Sequence, residues 1–348
     1  MEINTVEMVD GVVKIIDQTL LPTRYEIIDI VTKEEMWEAI KMLRVRGAPA
    51  IGIAAAMGVA AEMLNSEAAS SSVFIEELDD VADYLATSRP TAVNLFWALD
   101  RMKRTGRENK DRSVGELKNI LVSEAQEILA EDQAMCRSIG EAGNALIKDG
   151  DGILTHCNAG GLATSGFGTA LAPIYVAHEN GKRIKVYSDE TRPLLQGSRL
   201  TVWELMHVGV DVTQISDNMA AQVMKEGKIN LVITGADRIA ANGDGANKIG
   251  TYGVALLARA HGIPFYMAWP GSTLDLDIAH GDDIPIEERG KEELTSFGGV
   301  TIAPEGSQAY CPAFDVTPHE LITAFITDRG LIYPPYEENL KQFIPQHP

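Results

Sequence analysis

The sequence predicts an α/β protein whose C-terminal part forms a mostly parallel, doubly wound sheet and whose smaller N-terminal domain is largely helical. Three observations support this prediction. The chain has 348 residues, more than one hydrophobic core usually organises, so two domains are expected. Up to about residue 149 the pattern is mainly helical, and from residue 151 onward short β-rich segments alternate with helical ones. The predicted domains are residues 1–149 and 150–348.

The N-terminal domain carries several helix start signals. Thr32 and Ser113 each begin a capping-box pattern, with a glutamate three residues later. Pro49 suits the first turn of an Ala-rich apolar segment, residues 48–61, which is shorter than the about 20 residues of a membrane span. We therefore expect that segment to be a tightly packed internal helix. Residues 113–148 are long enough for one helix that joins the two domains.

The C-terminal domain contains six β-rich segments. The stretches between most of them, such as 161–180 and 248–261, are long enough for crossover helices, as a parallel sheet requires. Ligands of such sheets bind beyond the carboxyl ends of the strands, so the residues that follow each segment carry the most functional weight. The segments are residues 152–156, 183–188, 211–216, 229–234, 263–268 and 299–303.

Polar or reactive residues follow most of these strands. Taken singly, an Asp or Asn at such a position is more often a helix cap, and a Gly a turn residue. Several of them at one sheet edge favour a functional site. The strand ends carry Cys157, Asn158, Asp189, Thr191, Asp217, Asn218, Asp237 and Arg238, followed by Trp269.

Cys157 and Asp237 are the candidates for chemistry. Cys157 lies between a predicted strand and a Gly-containing helix entry, where amide groups and the helix dipole favour a lowered thiol pKa or a bound anion. A lone cysteine is more often a buried apolar residue. Asp237 lies in a loop rich in Gly, Asn and Asp. In a water-poor pocket burial would raise the pKa of Asp237, and the side chain could act as an acid; an isolated Asp is more often a cap.

Cations for an anionic substrate lie next to Gly and Pro turns. Arg46 precedes the Ala-rich helix, Arg89 precedes a proline, and Lys248 follows the Gly-Asn loop. Arginine can bind phosphate with two parallel hydrogen bonds and lysine as a point charge. Each of the three, taken singly, is more often a solvated surface charge or part of an ion pair. The formal net charge of −20 argues against nucleic acid as a partner.

Several function classes lack their sequence signals. Dinucleotide and P-loop glycine motifs do not follow the predicted strands, and the histidines show no H-x-x-x-H spacing. The three cysteines include no C-x-x-C pair, so neither a disulfide framework nor a zinc site is indicated. We therefore expect no metal and no cofactor. The sequence also shows no signal-peptide pattern and no membrane segment, and we expect a cytoplasmic protein.

Seven long blocks of the sequence resemble the methylthioribose-1-phosphate isomerase family, the aldose–ketose isomerases of methionine salvage. Its wider family includes regulatory subunits of a translation-initiation nucleotide exchange factor. The resemblance covers nearly the whole chain, and the blocks are residues 45–58, 88–99, 155–164, 189–205, 216–221, 234–253 and 284–289.

The resemblance implies a set of site residues and a fold. Cys157 and Asp237 match the catalytic positions of the family. The implied fold has a helical N-terminal domain and a Rossmann-like C-terminal domain, usually in a homodimer, with a small phosphorylated pentose as the substrate. Cys311 departs from the Asn that is typical there. The matched substrate-contacting positions are Arg46, Gly47, Ala48, Arg89, Gln196, Asn247 and Lys248.

The implied reaction requires an acid, because a sugar that is phosphorylated at C1 cannot simply open to its aldehyde. Asp237, kept protonated by burial, is expected to protonate the ring oxygen. Hydrogen then moves from C2 to C1 either as a proton through an enediol or as a hydride, with Cys157 as base or as charge stabiliser. The C5 substituent stays open between methylthio, a second phosphate and a methyl group, although the apolar Trp269 favours methylthio. A non-catalytic regulatory subunit is the alternative from another functional class.

Overall fold

The computed structural model describes residues 3–90 and 92–343, which form two compact units. Unit 1 contains the described residues up to Cys136 together with Gly160–Gly168. Unit 2 contains Arg137–Ala159 together with the described residues from Thr169 onward. The predicted boundary at residue 149 stays a prediction about domains.

Unit 1 begins with a three-stranded antiparallel sheet that the sequence analysis did not predict. The turn between its first two strands is Asp10-Gly11, both with positive φ, of 51° and 81°. Asp-Gly between two apolar segments is a strong hairpin signal, so the hairpin of the first two strands could have been predicted from the sequence. The strands are β1 (Val6–Val9), β2 (Val12–Ile16) and β3 (Ile27–Ile30).

Five helices follow, and the helix start signals are confirmed. The Thr32 side chain accepts a hydrogen bond from the Glu35 amide in a complete capping box, and Pro49 lies in the first turn of its helix. The Ala-rich segment is the most buried helix of unit 1, as expected, with every side chain from Ala50 to Ala61 buried. The helices are α1 (Lys33–Lys41), α2 (Ala48–Leu64), α3 (Ser71–Ala86), α4 (Val93–Glu108) and α5 (Val114–Asn144). Among the described residues no helix has an apolar stretch long enough to span a bilayer.

Unit 2 contains thirteen of the strands that the structure describes. They are β4 (Gly152–Thr155), β5 (Lys185–Asp189), β6 (Asp211–Ile215), β7 (Leu231–Gly235), β8 (Arg238–Ala240), β9 (Gly245–Lys248), β10 (Phe265–Ala268), β11 (Leu274–Asp275), β12 (Ser296–Phe297), β13 (Val300–Thr301), β14 (Phe314–Thr317), β15 (Ala324–Thr327) and β16 (Gly330–Ile332).

The main sheet of unit 2 has seven strands in the order β16-β15-β10-β7-β4-β5-β6. All neighbouring pairs are parallel except β15 and β16, which form an antiparallel hairpin at one edge. The α/β prediction with a mostly parallel C-terminal sheet is therefore confirmed. Helices on this unit are α6 (Ala172–Glu179), α7 (Val202–His207), α8 (Ala220–Lys225), α9 (Thr251–Ala260), α10 (Glu292–Thr295) and α11 (Tyr336–Asn339).

One predicted strand lies elsewhere. Within the predicted segment 299–303 only Val300–Thr301 is extended, and it pairs with β12 in a small hairpin outside the main sheet. Val300 is 65% exposed, whereas all four residues of β15 are buried in the main sheet. The sequence of β15, AFIT, is uniformly apolar except for its last residue, as an inner strand requires. The β-propensity of residues 299–303 therefore led to a wrong assignment to the main sheet. Burial on both faces identifies β15 as the strand of that sheet.

A second, four-stranded sheet of unit 2 has the order β11-β8-β9-β14. β8 and β9 form an antiparallel hairpin directly after β7, so the Gly-Asn-Asp loop predicted there is two short strands and a tight turn. This hairpin brings Asn247, one of the predicted substrate-contacting residues, back towards the end of β7.

Candidate active site

Cys157 lies two residues beyond β4, in the half-buried loop that leaves the centre of the main sheet. Its φ of 65° is left-handed, a conformation that costs a non-glycine residue on the order of 1–3 kcal/mol. The residues that follow form one 3₁₀ turn, Gly161–Ala163, and no α-helix begins there. The expectation that a helix dipole acts on Cys157 was therefore wrong.

Neighbouring side chains fix the backbone of Cys157. The amide of Cys157 donates to Thr191 Oγ1 at 2.8 Å, and the carbonyl of Cys157 accepts from Thr201 Oγ1 at 2.6 Å. Thr191, also left-handed at φ 64°, is held in turn by Asp217, whose carboxylate accepts from the amides of Thr191 and Arg192 at 2.7 Å each. These bonds join the ends of β4, β5 and β6 around Cys157.

Asp237 lies two residues beyond β7, the strand that pairs with β4. Its amide donates to the carbonyl of Ala246 at 2.8 Å, which closes the β8–β9 hairpin at its base. The side chain is exposed. The expectation that the protein alone buries Asp237 was therefore wrong, because the hairpin holds the backbone and leaves this residue exposed.

Gly235, the last residue of β7, lets these loops approach each other. A Cβ atom at Gly235 would lie 2.7 Å from the Cβ of Ala159 and 4.0 Å from Asn247 Oδ1. The first distance is shorter than real Cβ contacts allow, so the chain beyond Cys157 packs against β7 only because residue 235 is glycine. Cys157, Asp237 and Asn247 therefore belong to loops that pack together at one edge of unit 2.

The predicted substrate contacts of unit 2 lie on β9 and on the segment that follows β5. Asn247 is 5% exposed and its Nδ2 donates to Thr251 Oγ1 at 3.0 Å. The Lys248 ammonium lies 4.3 Å from the centroid of the Phe314 ring, a cation–π contact. Gln196 is 7% exposed, and its buried Oε1 has no hydrogen-bond partner among residues 3–90 and 92–343. A buried amide oxygen of this kind is a ready acceptor for a hydroxyl group of a ligand.

A buried His–Asp pair lies directly beside Cys157. His156 Nδ1 is 2.9 Å from Asp189 Oδ2, and His156 Nε2 is 2.9 Å from the carbonyl oxygen of Ile249. Burial raises the pKa of Asp189 to about 6, although the hydrogen bond and charge of His156 oppose that change. Burial alone would lower the pKa of His156, but the hydrogen bond and charge of Asp189 raise that pKa above its usual value. Both directions favour one proton held between the two side chains.

Asn158, the residue after Cys157, belongs to a second buried hydrogen-bond network. Asn158 Nδ2 donates to Thr201 Oγ1 at 3.1 Å and to a carboxylate oxygen of Glu204. The other oxygen of Glu204 accepts from the Tyr175 hydroxyl at 2.9 Å. Glu204 is fully buried, so these bonds compensate its lost hydration and hold the Cys157 loop from the inner side.

Trp269 does not lie at the site edge as an apolar contact. It is fully buried, with its ring 5.3 Å from the rings of both Phe325 and Phe343 in edge-on contacts. It is therefore a core residue of unit 2, and the suggestion that it contacts the C5 substituent was wrong. Its position one residue beyond β10 gave no sign of the direction in which the ring points.

In unit 1, Arg46, Gly47 and Ala48 form the entry to α2. Gly47 is the residue before the helix, with a φ of 93°, and a Cβ there would overlap the backbone of Ala163. The first amides of this 17-residue helix carry the positive end of its dipole. Arg46 adds a full charge to the same terminus, so the predicted anion contacts are consistent with the local structure.

Arg89 lies in the loop before α4, whose first turn packs against the second turn of α2. A Cβ at Gly52 would lie 2.8 Å from the carbonyl oxygen of Asn94, so only glycine allows this approach of the two helices. Two helix N-termini therefore lie side by side within unit 1. Arg46 and Arg89, which precede α2 and α4 by two and four residues, add positive charge there.

The residues that support the site were not predictable from the sequence pattern alone. Asp189, Thr191 and Asp217 had been noted as polar residues at strand ends, but their bonds to His156, Cys157 and the neighbouring loop depend on strand order. His156 had not been singled out. Its position directly after the buried central strand β4 and directly before Cys157 was the available signal.

The model of the initiation factor 2 subunit family matches residues 44–334, and the chain belongs to that family. A 5-deoxyribose 1-phosphate isomerase of Petrotoga mobilis is 57% identical over 94% of both chains. A methylthioribose-1-phosphate isomerase of Symbiobacterium thermophilum is 57% identical over 94% of this chain and 92% of its own. The crystal structure of 5-methylthioribose 1-phosphate isomerase from Pyrococcus horikoshii superposes with a TM-score of 0.95 at 46% identity, covering 98% of this chain and 95% of its own.

Proposed function

We propose that this member of the family is an aldose–ketose isomerase that converts 5-methylthioribose 1-phosphate to 5-methylthioribulose 1-phosphate. The observation that carries the proposal is the pair of loops at the carboxyl ends of β4 and β7, which bring a left-handed, hydrogen-bonded Cys157 and an exposed Asp237 to one sheet edge. The similar proteins named as isomerases of 1-phosphorylated sugars support the reaction class.

Asp237 is assigned the role of the acid at the ring oxygen. Protonation of that oxygen lets the ring C–O bond break although the anomeric oxygen is blocked by phosphate. Because Asp237 is exposed in the protein alone, we propose that bound substrate supplies the desolvation that raises the pKa of this carboxyl group.

Cys157 is assigned to the hydrogen shift between C2 and C1. If the thiolate removes the C2 proton, an enediol forms and a proton returns at C1. If hydride moves from C2 to the C1 cation, Cys157 instead stabilises the developing charge. The fixed backbone of Cys157 supports either role, since both need the sulfur at one defined point.

Substrate contacts are assigned within each unit. In unit 2, Gln196 and Asn247 offer buried amide groups for sugar hydroxyls, and Lys248 offers a charge. In unit 1 the contacts are Arg46, Gly47, Ala48 and Arg89, for which the paired N-termini of α2 and α4 suit a phosphate group.

The second candidate substrate is 5-deoxyribose 1-phosphate, favoured by the equally similar relatives that carry that name. The two substrates differ only in a methylthio group or a hydrogen at C5. A pocket that contacts the methylthio group should discriminate by about tenfold or more in kcat/KM.

A direct assay of the purified protein separates these possibilities. We expect turnover of 5-methylthioribose 1-phosphate, weaker turnover of 5-deoxyribose 1-phosphate, and little turnover of ribose 1,5-bisphosphate. A reversed order of the first two would establish the second candidate. Inactivity of the folded protein on all three, with stable binding to a translation initiation factor, would instead establish a regulatory subunit.

An isotope experiment defines the role of Cys157. Substrate deuterated at C2 would keep its deuterium at C1 if hydride is transferred directly. Loss of deuterium to solvent would show proton abstraction and assign Cys157 as the base.

A further inference from the structure

His156 joins three segments of unit 2 at one buried point. It follows β4 directly, is 2% exposed, and bonds to Asp189 at the end of β5 and to the carbonyl of Ile249 just beyond β9. Cys157 follows His156 in the chain, and Lys248 precedes Ile249. One imidazole ring therefore connects the candidate catalytic loop with the candidate substrate-binding hairpin.

The hydrogen-bond partners determine the proton count of the pair. A carbonyl oxygen can only accept, so His156 Nε2 carries the hydrogen that Ile249 receives. The remaining proton lies between Nδ1 and Asp189 Oδ2. Whichever of the two atoms holds this proton, the pair as a whole is neutral. Its burial therefore costs less hydration free energy than burial of a net charge.

The segments around Ile249 and Asp189 are packed too tightly for the His156–Asp189 pair to move independently. A Cβ at Gly250 would lie 2.7 Å from His156 Cε1, and a Cβ at Gly197 would overlap the carbonyl oxygen of Asp189. Gly250 also has a φ of 105°, and its amide donates to Asp315 Oδ2 at 2.7 Å. A displacement of the ring would therefore displace the backbone on at least one side.

We propose that His156 and Asp189 are positioning residues for the reaction: their buried hydrogen-bonded bridge holds Cys157 and the Asn247–Lys248 segment in one fixed relative arrangement. The inference rests on the proposed function for the identity of the reaction. The bridge acts through its hydrogen bonds, and the reacting atoms are contacted by Cys157, not by the imidazole.

Variants of Asp189 separate hydrogen bonding from bulk and charge. Asp189→Asn keeps the shape and can donate an amide hydrogen to Nδ1 while Nε2 still donates to Ile249. Asp189→Leu keeps the number and branching of the side-chain heavy atoms, has bulkier methyl groups, and removes the bond. We expect kcat to fall about a hundredfold in Asp189→Leu, with a higher KM from the displaced hairpin, and by less than about fivefold in Asp189→Asn.

The matched control is a second His–Asp pair of unit 2, in which His319 Nδ1 lies 2.9 Å from Asp244 Oδ1. This pair is 34% and 16% exposed at its side chains and joins the end of β14 to the β8–β9 turn. His319→Ala should lower the melting temperature and leave kcat and KM within about twofold of wild type.

Hydrogen exchange gives a readout that does not depend on the substrate. In folded Asp189→Leu, peptides covering residues 155–159 and 247–251 should both exchange faster than in wild type, and neither should change in His319→Ala. Asp189→Asn should retain wild-type protection in both peptides.

The outcomes are distinguishable. Unchanged exchange at 247–251 in Asp189→Leu, or a loss of kcat no larger than in His319→Ala, would overturn the bridge. A hundredfold loss in Asp189→Asn would show that charge, and not the hydrogen bond, is required, and would also overturn the proposal as stated. If wild type isomerises none of the substrates, the proposed function fails, while coupled exchange of the two peptides still tests the bridge.

Discussion

Unit 1 and unit 2 present their candidate substrate groups in different ways. In unit 1 the groups are the backbone amides at the N-termini of α2 and α4 together with the charges of Arg46 and Arg89, and Gly47 and Gly52 allow close approach. In unit 2 they are individual side chains beyond strands, with Cys157 fixed by hydrogen bonds from neighbouring loops. Amides and positive charges bind an anion, whereas a reacting side chain such as Cys157 depends on the position of each atom that reacts. From this difference we expect unit 1 to control the affinity for substrate and unit 2 to control turnover.

The largest effect is expected in unit 2. Cys157→Ser and Asp237→Asn should each lower kcat by about a thousandfold, with KM little changed. The first removes the group assigned to the hydrogen shift, and the second removes the acid at the ring oxygen. Steady-state kinetics on the preferred substrate measure this. Asp277→Asn is the control, an exposed carboxyl in the same unit that should retain wild-type kinetics. Near-normal turnover in either site variant would contradict its assignment and the contrast between the units.

Arg89→Ala tests unit 1 at its proposed phosphate contact. We expect KM to rise by about ten- to a hundredfold, as loss of a charge-assisted hydrogen bond implies, with kcat within about threefold of wild type. Arg104→Ala removes an exposed arginine of α4 and should leave both constants unchanged. An unchanged KM in Arg89→Ala would exclude its role in binding.

Gly47→Ala separates close approach from backbone strain. Gly47 and Gly150 both have φ near 90°, but a Cβ at Gly150 meets nothing within 4 Å, whereas one at Gly47 overlaps the backbone of Ala163. Gly150→Ala should cost about 1 kcal/mol of strain alone. Gly47→Ala should lower the melting temperature further and raise KM about tenfold by distorting the helix entry. Equal effects of the two substitutions on melting temperature and KM would show that the close approach of Gly47 to Ala163 does not determine the shape of the entry to α2.

A smaller effect is expected from the pH dependence of stability. The charged groups that interact with His156 include the carboxylates of Asp189, Asp217 and Asp315. Burial would lower the pKa of His156, and the hydrogen bond with Asp189 is the largest cause that raises it. A raised pKa means that the stabilisation is fully present below the unfolded pKa of about 6.5 and is lost as pH rises through the folded pKa.

Melting curves of wild type and Asp189→Asn measure this contribution. The difference in melting temperature between them should be larger near pH 6 than near pH 9, because the variant lacks the charge that holds the His156 proton. A difference that is constant or grows with pH would show that His156 is not protonated in the native pair. His261→Asn, at an exposed histidine, should show no such trend.

Much of the architecture followed from local pattern. The buried Ala-rich helix, the capping box at Thr32 and the alternation beyond residue 151 gave the helices and the parallel sheet, because apolar period and cap chemistry act over a few residues. The β1–β2 hairpin was predictable from Asp10-Gly11 and was missed. The segment 299–303 was misassigned because β-propensity alone does not report burial on both faces of a sheet.

The site was only partly predictable. Because loops after adjacent parallel strands meet at one sheet edge, Cys157 and Asp237 were expected to be neighbours once the strands were identified. The side-chain environments were not predictable from strand position. Asp237 is exposed where burial was expected, and Trp269 packs in the core where a ligand contact was expected, because neither direction depends on sequence neighbours.

By itself, the sequence determined the α/β class, the helix starts and the residues that follow each strand, since these depend on interactions within a few positions. The tertiary structure alone decided the strand order, and with it the bonds from Thr191 to Cys157 and from His156 to Asp189 and Ile249. Partners separated by more than thirty residues meet only when the sheet is assembled, so the support of Cys157 is a property of the fold.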